Sequence, residues 1–368
     1  MEKLRIRNVL VPIDFSKMSI DAIAAAKRLS RRFGGTVHLV HVYQFDYLPE
    51  FTAPAIWSMQ ASIAIEEQYT QLLKKKLAAV AQKNALSPVN CHLLRGTAAF
   101  DEICRLARDL PADLILLPTH GRTGLKRVFL GSTAERVVQH SPCPVFVVRK
   151  KKRLSKGEGL FSIRTLLVPV DFSGRSREGL QYAIEIADKF GARIIVLHAT
   201  YLGYIYSAEG TAFYDVPALQ EAARRKAKRQ MRKFLRTVRF GRVPFETAIT
   251  EGSPAHDICA SAKANDVDLI VTSTHGLTGL KHVLIGSVAE QVVRRAPCSV
   301  LVAPSHPRVR AANLETKQEK PLENLAARAK PRLPVKGKAL TKKDRKLAAH
   351  PFPERRKTNK FRESHSNR

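Results

Sequence analysis

The chain is written twice, and that repetition restricts its possible folds more than any single motif does. VLVPIDFS at Val9 to Ser16 returns as LLVPVDFS at Leu166 to Ser173, 157 residues on. THGRTGLKRVFLGSTAERVVQHSPCPVFVV from Thr119 returns as THGLTGLKHVLIGSVAEQVVRRAPCSVLVA from Thr274, at an offset of 155. Blocks kept in order over such a distance, with a drift of only two residues, mark a duplicated domain and not a solenoid of short units. The copies are assigned to residues 1–149 and 160–304. KKKRLSKGEG at 150–159 is too polar to be core and is read as a linker, which leaves 305–368 as a tail.

Within a copy, short β-branched runs alternate with helical stretches. Ile6 to Val11, Thr36 to Val42, Val89 to Leu94, Asp113 to Leu117 and Val145 to Val148 read as strands; Ser16 to Phe33, Met59 to Asn84 and Phe100 to Asp109 read as helices. Strands alternating with helices imply right-handed crossovers and a parallel sheet covered on both faces. The expected fold is α/β: two tandem copies of a five-stranded, mostly parallel, doubly wound, Rossmann-like sheet. Val145 to Val148 and Val300 to Val302 are apolar closing strands, and an uncovered apolar edge invites association. The two are expected to join edge to edge as a pseudo-two-fold pair.

Charge is distributed unevenly. The 368 residues carry a formal net charge of +31, and residues 305–368 hold 19 Lys and Arg against six Asp and Glu. That tail has only ten Leu, Ile, Val or Phe residues, too few to offset its ordering entropy by burial, so it is expected to be disordered. A second concentration runs through Ala218 to Phe240, where Arg224, Arg225, Lys228, Arg232 and Arg236, among other bases, face the single acid Glu221. Apolar residues at helical spacing make this an amphipathic helix with a basic face. Both features serve either solvation or contact with nucleic acid or another polyanion. Five cysteines without a Cys-x-x-Cys pair exclude a disulfide framework and a zinc ribbon, and no apolar run approaches a bilayer span. A cytoplasmic protein is the expectation.

In open parallel sheets, ligands bind beyond the carboxyl ends of the strands. Asp14 and its twin Asp171 stand there, directly after the first strand. After the fourth strand, His120-Gly121 is followed, after nine intervening residues, by Gly131-Ser132-Thr133, and His275-Gly276 in the same way by Gly286-Ser287-Val288. Ser132 with Glu135, and Ser287 with Glu290, have the spacing of a capping box. One reading is that these serines only cap and these glycines only turn. The other is that a helix terminus with close backbone approach receives an anion. No Cys/His pair has metal-site spacing, and no nucleophile elbow is present.

The VPIDFS opening, the LVHV of the second strand, the THGRTGLKRVFLGS loop and the closing PCPVFVV together resemble the universal stress protein family. The second copy repeats all but LVHV closely, with VLHAT in its place. The resemblance implies a five-stranded doubly wound sheet, domains paired through the last strand (a homodimer in single-domain members) and, in one branch, ATP, with magnesium as its companion. Carried over, it places Pro12 and Asp14 at the base and ribose, Val42 at the adenine, and Gly121, Gly131, Ser132 and Thr133 at the triphosphate. The second-copy counterparts are Pro169, Asp171, Ala199, Gly276, Gly286, Ser287 and Val288. One position departs from the ATP-binding pattern: a glycine expected three residues before the His-Gly glycine is Pro118 in copy one and Ser273 in copy two. Proline lacks the N–H that serine keeps, so the second copy is expected to bind better than the first. The function classes that follow are a non-catalytic, nucleotide-responsive stress-response module, an ATP-hydrolysing enzyme, and a scaffold whose basic tail docks on a polyanion. No general base or carboxylate pair accompanies the loop apart from Asp14 and Asp171, which weighs against the enzyme.

Overall fold

A computed structural model describes residues 4–45, 55–119, 130–149, 163–200, 216–273 and 286–303. The linker, the tail, Gly121 and Gly276 lie outside them. The first copy runs β1 (Asn8–Pro12), α1 (Lys17–Phe33), β2 (Thr36–Tyr43), α2 (Ala55–Lys83), β3 (Val89–Arg95), α3 (Ala99–Asp109), β4 (Leu114–Pro118), α4 (Ser132–His140) and β5 (Val145–Val148). The second runs β6 (Thr165–Pro169), α5 (Gly174–Phe190), β7 (Arg193–Thr200), α6 (Val216–Leu235), β8 (Phe245–Glu251), α7 (Pro254–Ala264), β9 (Leu269–Ser273), α8 (Ser287–Arg295) and β10 (Ser299–Ala303). Five strands per copy match the alternation read from the sequence.

Local chemistry sets the helix ends. Ser16 accepts a hydrogen bond from Ser19 N at 3.2 Å and Ser173 one from Ser176 N at 3.1 Å, so both first helices start with a serine cap. Both stop at a left-handed glycine, Gly34 (φ 73°) and Gly191 (φ 66°), a conformation that a Cβ would disfavour. Between these ends α1 buries Ala22, Ile23, Ala25, Ala26 and Leu29, a one-sided stripe facing the sheet.

All ten strands form one sheet in the order β3-β2-β1-β4-β5-β10-β9-β6-β7-β8, a palindrome of the two copies. Pairing is parallel throughout except at the centre, where β5 and β10 run antiparallel with Val147 opposite Val300, Phe146 opposite Leu301 and Val145 opposite Val302. Since Phe146 and Leu301 are equivalent in the repeat, the pseudo-two-fold axis passes between them. The expected edge-to-edge pairing of the closing strands is therefore present. One buried apolar cluster on the α1, α2, α5 and α6 side includes Phe146 and Leu301, and the other, on the α3, α4, α7 and α8 side, includes Val145, Val147, Val300 and Val302. Each core layer thus runs unbroken across the seam. Arg149, just past β5, crosses it too: its Nη2 donates to Val293 O at 3.0 Å and Arg294 O at 2.8 Å, closing the carboxyl end of α8.

Candidate functional site

The site begins at a strained turn. After β1 the chain passes through Phe15 at φ 62°, and after β6 through Phe172 at φ 66°, a left-handed conformation that a bulky residue adopts only when its surroundings enforce it. The enforcing contacts recur in both copies. Asp14 Oδ1 accepts from Ser16 N at 2.9 Å and Asp171 Oδ1 from Ser173 N at 3.0 Å, each closing the turn with its own carboxylate. Phe15 packs on His41 with ring centroids 4.5 Å apart, and Phe172 on His198 at 4.2 Å. A carbonyl can only accept, so His41 Nδ1–H donates to Ile13 O at 2.6 Å and His198 Nδ1–H to Val170 O at 2.7 Å. These rings therefore hold the Asp-bearing turn against the second strand.

In the first copy the turn forms one wall of a cavity of about 260 Å³, close to the roughly 300 Å³ lower end of small-molecule sites. Pro12, Asp14, Val42, Gly131, Ser132 and Thr133 all line it. Six of the seven positions expected for copy one thus converge, and the seventh, Gly121, lies outside the described residues. Ile103 and Leu117 supply apolar wall, and Pro118 stands beside them. The cavity therefore joins a carboxylate, an apolar surface and the amino terminus of α4.

That terminus is built differently from the capping-box expectation. Gly131 and Gly286 are the caps of α4 and α8, in extended conformation with no side-chain hydrogen bond, which makes Ser132 and Ser287 the first helical residues. The cause is backbone anchoring: Gly131 N donates to Thr119 O at 2.9 Å, and Glu135 N returns to Gly131 O at 2.9 Å, so the helix starts at the glycine. Glu135 pairs with Arg294 instead of reaching back to a cap. Ser132 and Thr133 are consequently exposed at a helix terminus whose dipole favours an anion. In copy two the second helical position is Val288, an exposed side chain without a donor. Of the other copy-two positions, Pro169 ends β6, Asp171 closes its turn, Ala199 lies near the end of β7, and Gly286 and Ser287 open α8. His41 was missed as a site residue, although a histidine recurring at one position in LVHV and VLHAT was signal enough to find it. Among the described residues no group of three or more His, Cys, Asp or Glu could hold a metal ion, and no helix is long and apolar enough to cross a membrane.

A family model described as the universal stress protein family matches residues 5–149 and again 162–304. Over 147 residues the chain is 32% identical to a universal stress protein of Methanocaldococcus jannaschii, spanning 40% of this chain and 84% of that one. Universal stress protein E of Escherichia coli K12 is 23% identical over 299 residues, 80% of this chain and 93% of its own length. Among solved structures, a universal stress protein from Archaeoglobus fulgidus aligns with a TM-score of 0.50 and 18% identity, covering 82% of this chain and 97% of that one. A Pseudomonas aeruginosa PAO1 protein of unknown function reaches 0.54 at 20% identity, covering 81% and 92%. At these identities the two structures speak to the fold alone.

Proposed function

The chain belongs to the universal stress protein family, and on that premise we propose that it is a tandem, non-catalytic, nucleotide-responsive module that takes ATP in the cavity of its first copy. The observation that carries this reading is the convergence of Pro12, Asp14, Val42, Gly131, Ser132 and Thr133 on one cavity. A carboxylate facing the ribose, apolar walls at the base and a helix amino terminus at the phosphates suit the three parts of a nucleotide. Magnesium is proposed to come with the triphosphate. The titratable side chains lining the cavity are Asp14 and His41, and the Nδ1–H of His41 is committed to Ile13 O, which sets its tautomer and orientation.

Two features compete in ranking the copies. Pro118 costs the first copy a backbone donor that Ser273 keeps, whereas Thr133 offers a hydroxyl where Val288 offers none. We place the principal site in copy one, because the hydroxyl and the cavity coincide there. Calorimetry on the full chain tests this. Asp14→Ala is expected to weaken ATP binding by about 1–3 kcal/mol, the scale of a charge-assisted hydrogen bond, and Asp171→Ala by less. An equal or larger loss in Asp171→Ala would give the ranking back to the Ser273 donor. Mass spectrometry of the gently purified protein reads co-purifying nucleotide independently.

A second reading has its own observation. Along α6 and at the residue just past its end, the side chains of Lys228, Arg232 and Arg236 are exposed and have no ion-pair partner among the described residues; Arg224 lies 4.0 Å from Glu251 and Arg225 3.6 Å from Glu221. This favours a scaffold that meets nucleic acid or another polyanion through its basic helix and tail. Electrostatic contact of this kind is largely independent of sequence.

A further inference from the structure

Glu135 and Glu290 occupy equivalent places, each in the first turn of the helix that opens with Gly-Ser, four residues beyond the capping glycine. A carboxylate there repels any anion that the helix terminus attracts. One side chain answers both. Arg294 Nη2 stands 2.5 Å from Glu135 Oε1, across the seam in copy one, and 3.0 Å from Glu290 Oε1, one turn back in its own helix. The repeat supplies no second arginine, since the position equivalent to Arg294 in α4 is Gln139. A two-fold pair made from identical chains would have two such cations or none; here one serves two carboxylates.

We infer that Arg294 is a counter-ion shared between the two candidate phosphate helices and that it couples them in opposition. A single nitrogen cannot neutralise both carboxylates fully. Drawing it toward Glu135 favours an anion at α4 and leaves Glu290 exposed to whatever approaches α8; drawing it toward Glu290 does the reverse. Coupling then needs no movement of the sheet, only a redistribution of one guanidinium between two partners, each with a differential interaction in the two arrangements. The ligand half of this inference rests on the nucleotide reading above, whereas the sharing itself does not.

The experiment uses the full chain. Amide hydrogen exchange without nucleotide is followed at residues 132–136 and 287–291 in wild type, Glu135→Gln, Glu290→Gln and Arg294→Gln. Sharing predicts that Glu135→Gln slows exchange in α8 of the other copy and that Glu290→Gln slows it in α4, each by roughly two- to fivefold, the scale of a partly exposed ion pair. Arg294→Gln should speed both. Simple loss of an interface contact would loosen the opposite helix, so faster or unchanged exchange there overturns the proposal. ATP titration supplies the second arm. Glu290→Gln should tighten ATP at the copy-one cavity by a similar factor, and this effect should vanish when Arg294→Gln is also present. ATP binding indifferent to Glu290→Gln would overturn the coupling. If the cross-copy exchange pattern appears but no variant binds ATP, the shared counter-ion stands and the nucleotide reading alone fails.

Discussion

His38 and His92 show how much a single polar chain inside a sheet can decide. Asn8 Nδ2 donates to Leu110 O at 3.0 Å, which fixes the amide so that its oxygen faces His38 Nε2, 3.3 Å away. That nitrogen must donate, so Nδ1 of neutral His38 is bare and accepts from His92 Nε2, 3.0 Å away. Three side chains and a carbonyl thus form a chain of donors pointing one way, with no place for an added proton between the two rings unless His92 changes tautomer. Burial lowers the His38 pKa from 6.5, the nearby His92 lowers it further, and burial lowers that of His92. Well above pH 6.5 neither state of the protein binds protons at these sites. As pH falls below that value the unfolded chain protonates first, so stability is lost progressively until the folded pKa values are reached. Copy two carries Ile195 and Ala248 in place of the two rings. The double variant His38→Ile/His92→Ala is therefore expected to flatten the decline in the urea midpoint between pH 7 and pH 5. A decline as steep as in wild type would assign the acid sensitivity elsewhere.

At the scale of elements, the repeat made the sheet legible and the termini less so. Aligning the copies located ten strands and the seam, because apolar runs and their spacing report burial directly. Strand ends moved by a residue or two, and the start of α4 was misread for a physical reason: a Ser-x-x-Glu spacing does not reveal that Gly131 N is already held by Thr119 O, which makes the glycine the cap. Asymmetry across the seam was equally hidden, since it depends on which side chains from the two copies meet. Arg149 is the clearest case. Its side chain is half-buried, with burial lowering its pKa, and it closes the last carbonyls of α8, to which it is joined in the chain only through the whole second copy. Ser299 Oγ accepts from the Arg149 backbone N at 3.1 Å and fixes the approach. Arg149→Met keeps the aliphatic stem and removes the donors. It is expected to destabilise the protein by about 1–3 kcal/mol through loss of the donors to two part-buried carbonyls, read as a lower urea midpoint. An unchanged midpoint would mean that water replaces the guanidinium without loss.

For the molecule as a whole, charge is the property that the fold does not account for. The palindromic sheet satisfies the pairing of the closing strands internally, and its two core layers need no basic surplus, yet the chain carries +31 and concentrates +13 in residues 305–368. The composition of that tail was legible; its role was not, because solvation and polyanion contact call for the same residues. Salt separates them. Each phosphate neutralised by Lys or Arg releases condensed counterions, so a true polyanion contact loses affinity steeply with salt, on the order of 10³-fold between 50 and 200 mM for about six phosphates. Base-edge readout requires side chains held in a groove by a scaffold, and a segment with two phenylalanines and no Tyr or Trp has little to stack on bases. Random RNA and random DNA duplex should therefore bind with little sequence preference. Deleting 305–368 should lower both the affinity and its salt slope. If deletion changes neither, the contact belongs to the exposed bases of α6 and of the residue that follows it, and replacing Lys228, Arg232 and Arg236 with Gln should then abolish it. If the intact protein binds neither polymer at 50 mM salt, the surplus charge acts on solubility alone and the scaffold reading falls.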